Sequence, residues 1–319
     1  MSYTPPYTIT PKILDLVSHI SETVGKLEVL APTAISPTLR KTNRIKTITG
    51  TLEIEGNTLG IEKITAILEG KRVIGNIREI AEVKGAIKVY DNLNGFDYTN
   101  LDDLLTAHRM LMEEVLTKAG AFRTTDVGVG GEDGVVHIAP PHSKVPDLMR
   151  DLFNWIAESD AHPLIKSSVF HYEFEFIHPF IDGNGRMGRL WQSLILYDWK
   201  PIFSMIPAES VIKEMQQGYY NALEAAGNRG ESTPFVEFML ESIWKSLQRF
   251  IEEYQKSDQK SDQKILALIA QDKSITIKEL ALKLQMSESG IKKALNKLKT
   301  EGYLKRTGSK KGGYWEISS

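Results

Sequence analysis

The segment His178-Pro-Phe-Ile-Asp-Gly-Asn-Gly-Arg-Met-Gly-Arg189 brings a histidine, a carboxylate, an amide and two arginines together among glycines. These residue types suit the chemistry of a nucleotide phosphate chain. For a hydroxyl group to attack the α-phosphorus, its proton must leave. Histidine titrates near neutral pH, so His178 is the candidate general base. Magnesium prefers one or two carboxylates plus phosphate oxygens, and Asp182 offers a carboxylate at the mouth of the segment. Gly183 and Gly185 let the main chain approach a ligand without a side chain in the way. The N–H groups of Gly183–Arg186, with the amide of Asn184, then provide donors for α- and β-phosphate oxygens. Arg186 and Arg189 can each fork onto oxygens further along the chain.

This segment needs two helices to hold it. Apolar spacing predicts one over Leu164–Ile177 and another over Asn184–Tyr197. Pro179 ends the first, because proline disfavours helical geometry in the residue before it. The second starts inside the motif, so free N–H groups and the positive end of the helix dipole face the same place. Arg186 and Arg189, three apart, share one face of that helix.

Helical signals dominate the rest of the chain. Thr10-Pro11 and Ser36-Pro37 each read as a cap followed by a first-turn proline. The helix opened by Pro37 should run to about Glu55, where Gly56-Asn57 supplies a left-handed stop, and it places Thr51 and Glu55 on one face. Gly50 weakens that helix by about 1 kcal/mol relative to alanine. Further helices are expected at Ile61–Leu68, Ile77–Leu93, Leu101–Leu116, Val145–Ala157, Ala208–Ala226 and Thr233–Tyr254. Val127–Ile138, with Val135 and Val136 after Asp133-Gly134, has the composition of a β-hairpin. A duplicated Ser-Asp-Gln-Lys unit over 255–264 reads as a linker or as the exposed continuation of the preceding helix. Helices at Ile265–Ala270, Ile277–Leu284 and Glu288–Thr300 follow, then two short strands flanking Thr307–Gly313. That order is a winged helix-turn-helix, with Ser287 capping its recognition helix. The expected fold is therefore mainly α: a helical core with one β-hairpin, plus a small α+β module at the C-terminus. The expected parts are residues 1–98, a core over 99–254, the linker, and the module over 265–319.

Composition narrows the chemistry. The chain has 319 residues and no cysteine, which excludes disulfides, thiolate zinc sites and cysteine nucleophiles. No basic leader followed by an apolar run opens it, and no uncharged stretch of about 18 apolar residues occurs later. The expectation is a cytoplasmic protein without a membrane partner. From Asp262 onward there are 12 basic and 6 acidic residues, against 27 and 35 before it, so a basic tail follows an acidic body. Such a tail points to a polyanion partner.

The unbroken string His-Pro-Phe-x-Asp-Gly-Asn-Gly-Arg-x-x-Arg over His178–Arg189 resembles the signature of Fic-domain proteins. The likeness extends over roughly Leu101–Leu240. It implies transfer of AMP from ATP to a protein hydroxyl, with Mg2+. It also implies that the hairpin is a flap, here Val127, Val135 and Val136, which aligns the target segment by strand addition. Upstream, Thr51-Leu-Glu-Ile-Glu-Gly-Asn57 is similar to the family's inhibitory helix motif. The resemblance pairs Glu55 with Arg189, against the γ-phosphate, and makes the chain an adenylyltransferase inhibited by its own N-terminal region. Self-modification and a homodimer that buries the inhibitory region are both compatible with it. Within the same family, Glu55 could instead position a water for AMP removal.

Competing readings exist for several residues. His171, Glu175 and His178 lie at helical spacing and could form a metal triad. Gly128–Gly134 loosely resembles a nucleotide loop, but no helix follows it. In the tail, Ser289, Lys292, Lys293 and Asn296 lie on one side of the recognition helix, with Lys310 and Lys311 in the wing, as DNA contact would require. From these comes the rival function of a DNA-binding regulator whose body senses nucleotide.

Overall fold

The computed structural model describes residues 3–30, 37–131, 134–308 and 313–317. Its elements in order are α1 (Pro11–Leu30), α2 (Pro37–Ile54), α3 (Gly60–Leu68), α4 (Ile77–Asp91), α5 (Leu101–Met112), β1 (Gly128–Gly131), β2 (Gly134–Ile138), α6 (Val145–Glu158), α7 (Pro163–Ile177), α8 (Asn184–Trp199), α9 (Ala208–Glu214), α10 (Gln216–Arg229), α11 (Thr233–Gln271), α12 (Ile277–Leu284), α13 (Glu288–Thr300), β3 (Leu304–Thr307) and β4 (Tyr314–Ile317). The fold is mainly helical, as expected, with one hairpin in the body and a small ribbon at the C-terminus. Among the described residues no helix is long and apolar enough to cross a membrane.

By contacts the chain forms two units: Met1–Val24 with Asn43–Leu247, and Gly25–Thr42 with Gln248–Ser319. In the first, α7 lies almost wholly out of water. Leu164, Val169, Phe170 and Phe174 are buried along it, facing Leu190, Trp191 and Leu194 of α8. A helix buried on all sides has little amphipathic pattern, which is why α7, the helix that leads into the motif, shows almost none. The rigidity of α7 and α8 comes from this packing and carries over to the loop between them.

The helix α2 ends where Gly56 takes a φ of 84°, and Asn57 N–H closes the turn onto Leu52 O at 3.1 Å. Ser36, expected to cap it, lies outside the described residues. Gly50 has a tertiary reason to be there. A Cβ at this position would sit 2.7 Å from the Glu209 carbonyl carbon and the Ser210 nitrogen, so α2 meets α9 backbone to backbone. Gly50→Ala is expected to lower stability by about 1–3 kcal/mol through overpacking, read by denaturant unfolding.

Three boundaries differ from expectation. The helix predicted over Ala208–Ala226 breaks at Met215, which has φ −106° and ψ 29°. The break lets Lys213 Nζ donate to Glu53 O and Gln216 Nε2 donate to Ile54 O, both at 2.8 Å. Two side chains thereby bond to carbonyls in the last turn of α2. The helix predicted over Leu101–Leu116 stops at Met112, because the chain turns back to bring Gly120 N–H to His108 Nδ1 at 2.8 Å. Residues 255–264 are helical within α11, so of the two readings of that stretch it is the continuation of the preceding helix that occurs.

The second unit has its own core, in which Ile265, Ile269, Leu280, Ile291, Leu295, Leu298 and Trp315 pack together. Thr276 and Glu279 form a capping box on α12, and Ser287 Oγ accepts from Gly290 N–H to cap α13. The strands β3 and β4 pair antiparallel from Leu304↔Ile317 to Thr307↔Tyr314. Lys310 and Lys311 of the expected wing lie outside the described residues.

Candidate active site

His178 closes α7 in the left-handed region, at φ 50°, with its N–H still bonded to Phe174 O at 2.9 Å. This turns the imidazole away from the helix axis. Its Nδ1 lies 3.4 Å from Glu175 O. A carbonyl can only accept, so Nδ1 carries the proton and Nε2 keeps its lone pair, the tautomer a general base needs. Asn184, expected as an amide donor to phosphate, is bonded within the loop. Its Oδ1 accepts from Phe180 N–H and its Nδ2 donates to Phe180 O, each at 2.9 Å. That reciprocal pair fixes the shape of the loop, while Gly183 takes a φ of 87° to turn the chain into α8.

The first turn of α8 points its open N–H groups at the same space as two buried arginines. Arg186 is 3% exposed; its Nη2 donates to Asp182 Oδ1 at 2.9 Å, while Nε and Nη1 have no hydrogen-bond partner. Arg189, 2% exposed, likewise has an unpartnered Nη1. Buried donors without acceptors are costly, and here they line a place where an anion would satisfy them. Asp182 is part-exposed, and its second oxygen, Oδ2, accepts from Arg78 Nη2 at 2.7 Å.

Glu55 reaches into that place from α2. Its Oε1 accepts from Arg189 Nη2 at 2.7 Å, while Arg189 Nε donates to Thr51 Oγ1 at 3.0 Å. Burial works to lower the Arg189 pKa, but Glu55, with Tyr219 and Glu175, raises it overall. A Cβ on Gly185 would collide with Glu55 Oε1, so the carboxylate lies directly on the glycine of the cradle. Thr51, Glu55, Gly185 and Arg189 therefore meet in one site from two distant segments.

The hairpin also forms. Gly128 pairs with Ile138 and Val129 with His137, then Gly130 with Val135, leaving Val136 as the extra residue of a bulge. Val127 lies just before β1. As a two-stranded sheet the hairpin has open backbone on its outer edges.

Known proteins resemble the chain in both parts. The Fic/DOC family profile matches residues 98–196, and a winged helix-turn-helix DNA-binding profile matches 258–305. A Fic family protein from Desulfovibrio desulfuricans G20 is similar in structure at a TM-score of 0.75 and 39% identity, over 99% of this chain and 98% of that one. This chain belongs to the Fic family. It is also similar to the structure of Fic-1 from C. elegans, with a TM-score of 0.63 and 27% identity over 77% of this chain and 72% of that one. Among curated relatives are protein adenylyltransferase fic-1 of Caenorhabditis elegans, 32% identical over 212 residues, and protein adenylyltransferase Fic of Culex quinquefasciatus, 33% identical over 208. These matches take in 63% and 62% of this chain but only 40% and 39% of the relatives, so the chain spans about two fifths of their length.

In this Fic protein several residues support the motif without any sign in the sequence. His108 stacks on Phe180 at 3.6 Å between ring centroids. Its Nδ1 accepts from Gly120 N–H, so its Nε2–H donates to Asp182 O at 3.0 Å. Burial pushes this imidazole down to about 4, which keeps it neutral and this tautomer in place. Arg123, also buried, donates to His178 O at 2.8 Å, to Thr125 O at 2.9 Å and to Pro140 O. One guanidinium thus joins the His178 turn to both ends of the hairpin. His108 carries no mark of this in the sequence, because its partners lie far away along the chain.

The Fic core does not assemble the triad of His171, Glu175 and His178. His171 Nδ1 lies 2.6 Å from Gln192 Oε1 and its Nε2 3.1 Å from Tyr219 OH, while His178 leaves the helix axis. Among the described residues no group of three or more metal-ligating side chains converges.

Behind Arg189, Glu209 is fully enclosed. It accepts from Ser193 Oγ at 2.9 Å and Tyr90 OH at 3.2 Å, yet burial raises its pKa. A carboxyl whose folded pKa is raised contributes stability below the ordinary carboxylate range and loses it as pH rises through the folded value. Thermal unfolding followed upward from the ordinary carboxylate range should therefore show Glu209→Gln gaining on the wild type as pH rises.

Proposed function

We propose that this chain is a magnesium-dependent protein adenylyltransferase, held in check by Glu55. The observation that carries the reading is the Glu55–Arg189 ion pair lying on Gly185, which puts a carboxylate where the phosphate cradle needs an anion. The curated relatives named adenylyltransferases support the same reading.

In the reaction proposed, a target hydroxyl oxygen bonds to the α-phosphorus of ATP as the bond to pyrophosphate breaks. His178 Nε2 takes the hydroxyl proton. The N–H groups of Gly183–Arg186 and the free donors of Arg186 hold oxygens of the phosphate chain. Arg189 binds the γ-phosphate once Glu55 has left it. A single part-exposed carboxylate beside a phosphate site is the donor set magnesium prefers, so Asp182 would hold the metal. What a metal held there would supply is charge neutralisation of the nucleotide's phosphate chain. Thr51 anchors Arg189, and Val127, Val135 and Val136 belong to the flap that lines up the target chain by strand addition. The location proposed is cytoplasmic, in keeping with the cysteine-free sequence.

The test is incorporation of label from ATP into protein, with the label at the α- or the γ-phosphate. Adenylyl transfer retains α-label only. Retention of γ-label, or of neither in a variant freed of Glu55, defeats the proposal.

The DNA-binding profile over 258–305 favours a second role for the tail. On α13, Ser289, Lys292, Lys293 and Asn296 would face DNA. Binding of the full chain to duplex DNA should then weaken steeply with salt, and Lys292→Glu should weaken it for all sequences alike.

A further inference from the structure

Helix α4 brings two charged side chains to the motif that nothing in the reaction above uses. Arg78, in its first turn, donates from Nη2 to Asp182 Oδ2 at 2.7 Å. Asn76 caps that turn, its Oδ1 accepting from Arg78 N–H at 2.9 Å, so the backbone under Arg78 is fixed. One turn on, Glu82 Oε1 accepts from Arg78 Nε at 3.4 Å and lies 3.6 Å from Arg186 Nη1. Glu82 Oε2 accepts from Asn57 Nδ2 at 3.0 Å. Asn57 follows Glu55 by two residues, so the turn that presents Glu55 is bonded to the helix that presents Arg78.

The contacts run in sequence: the neutral amide of Asn57 to Glu82, then alternating charges from Glu82 to Arg78 and Arg186, and from both arginines to Asp182. With Arg78 on Oδ2 and Arg186 on Oδ1, each oxygen of Asp182 has a cationic partner. The two partners differ. The Arg186 side chain is 3% exposed and built into the cradle, whereas that of Arg78 is 60% exposed and reaches in from outside. A divalent cation and the Arg78 guanidinium seek the same carboxylate oxygen, and like charges that close repel.

We propose that Arg78 is a competing cation for Asp182, aimed by Glu82, which the divalent metal must displace before phosphate chemistry begins. It rests on the reading of Asp182 as the metal-binding carboxylate. The chain would then be restrained on two sides by neighbouring elements, with Glu55 acting on the anion-binding arginine and Arg78 on the cation-binding carboxylate. Since Asn57 links the two, withdrawal of the Glu55 turn would also remove a support of Glu82.

The test is Mn2+ affinity, measured by electron paramagnetic resonance of free Mn2+, on the full chain saturated with α,β-methylene ATP. Arg78→Gln should tighten Mn2+ by roughly two- to fivefold at low salt, the range expected for a part-exposed ion pair. Arg78→Lys, which keeps a cation, should stay near wild type. Asp182→Asn should weaken Mn2+, and adding Arg78→Gln to it should change nothing further. If Asp182→Asn weakens Mn2+ but Arg78→Gln leaves it unchanged or weaker, the competition is refuted while Asp182 stands as the ligand. If Asp182→Asn leaves Mn2+ affinity intact, both the ligand assignment and the competition fall. Arg78 is exposed, so its variants test the ion pair without disturbing the core.

Discussion

Glu55→Gly is expected to raise adenylyl transfer from ATP by about a hundredfold, the penalty for a reacting group misplaced by roughly an ångström. The carboxylate accepts from Arg189 at 2.7 Å and lies on the cradle glycine, so it opposes a triphosphate by occupation and by charge. With no target added, label should appear on the protein itself. The intermediate variant Glu55→Gln keeps an acceptor for Arg189 but removes the charge, and its activity should fall between the two. Glycine at this position also leaves the buried Arg189 with Thr51 as its remaining partner on α2, so Tm should fall and partly recover on adding ATP. If transfer by Glu55→Gly stays at the wild-type level while its Tm does respond to ATP, Glu55 is not the brake.

In that released background, His178→Ala is expected to reduce transfer by about 10²- to 10⁴-fold, the usual contribution of a general base. Nucleotide affinity should stay within a few-fold, because the phosphate donors belong to α8, Arg186 and Arg189. A loss confined to turnover is the pattern of a residue that acts on the target hydroxyl. Loss of ATP binding together with turnover would instead mean that the turn had collapsed, and the assignment would need another variant, such as His178→Gln, that preserves the bond to Glu175 O. Transfer that survives both substitutions removes His178 as the base.

What could be read from the sequence was local. His178 to Arg189 are contiguous, so their chemistry was visible before any contact was known. Thr10-Pro11, Asn100 and Ser287 each mark a helix start through bonds to residues a few positions on. Gly56 marks an end by its left-handed backbone. The break at Met215 had no such mark. It carries no proline or glycine, and the groups that profit from it, Glu53 O and Ile54 O, lie about 160 residues earlier. His108, Arg123, Arg78 and Glu82 escaped for the same reason: each acts on the motif across tens of residues of chain. The bonds of Asn184 to Phe180 were not legible either, because an amide beside glycines suggests a ligand donor as readily as a partner for the loop's own backbone. The low apolar content of 255–264 suggested a break, but a run without glycine or proline has nothing to stop a helix entering from upstream.

The Arg123 guanidinium has a consequence for how such a protein changes its targets. Thr125 and Pro140 bracket the hairpin, and both are held by the side chain that also holds the His178 carbonyl. Under the proposed function, the strand that would meet a target is measured from the same fixed point as the proposed proton acceptor. On that reading, residues between the brackets could diverge, lengthen or shorten while the two anchor points stay fixed to the His178 turn. Substrate range and catalytic competence would in this way be separately heritable traits of one chain.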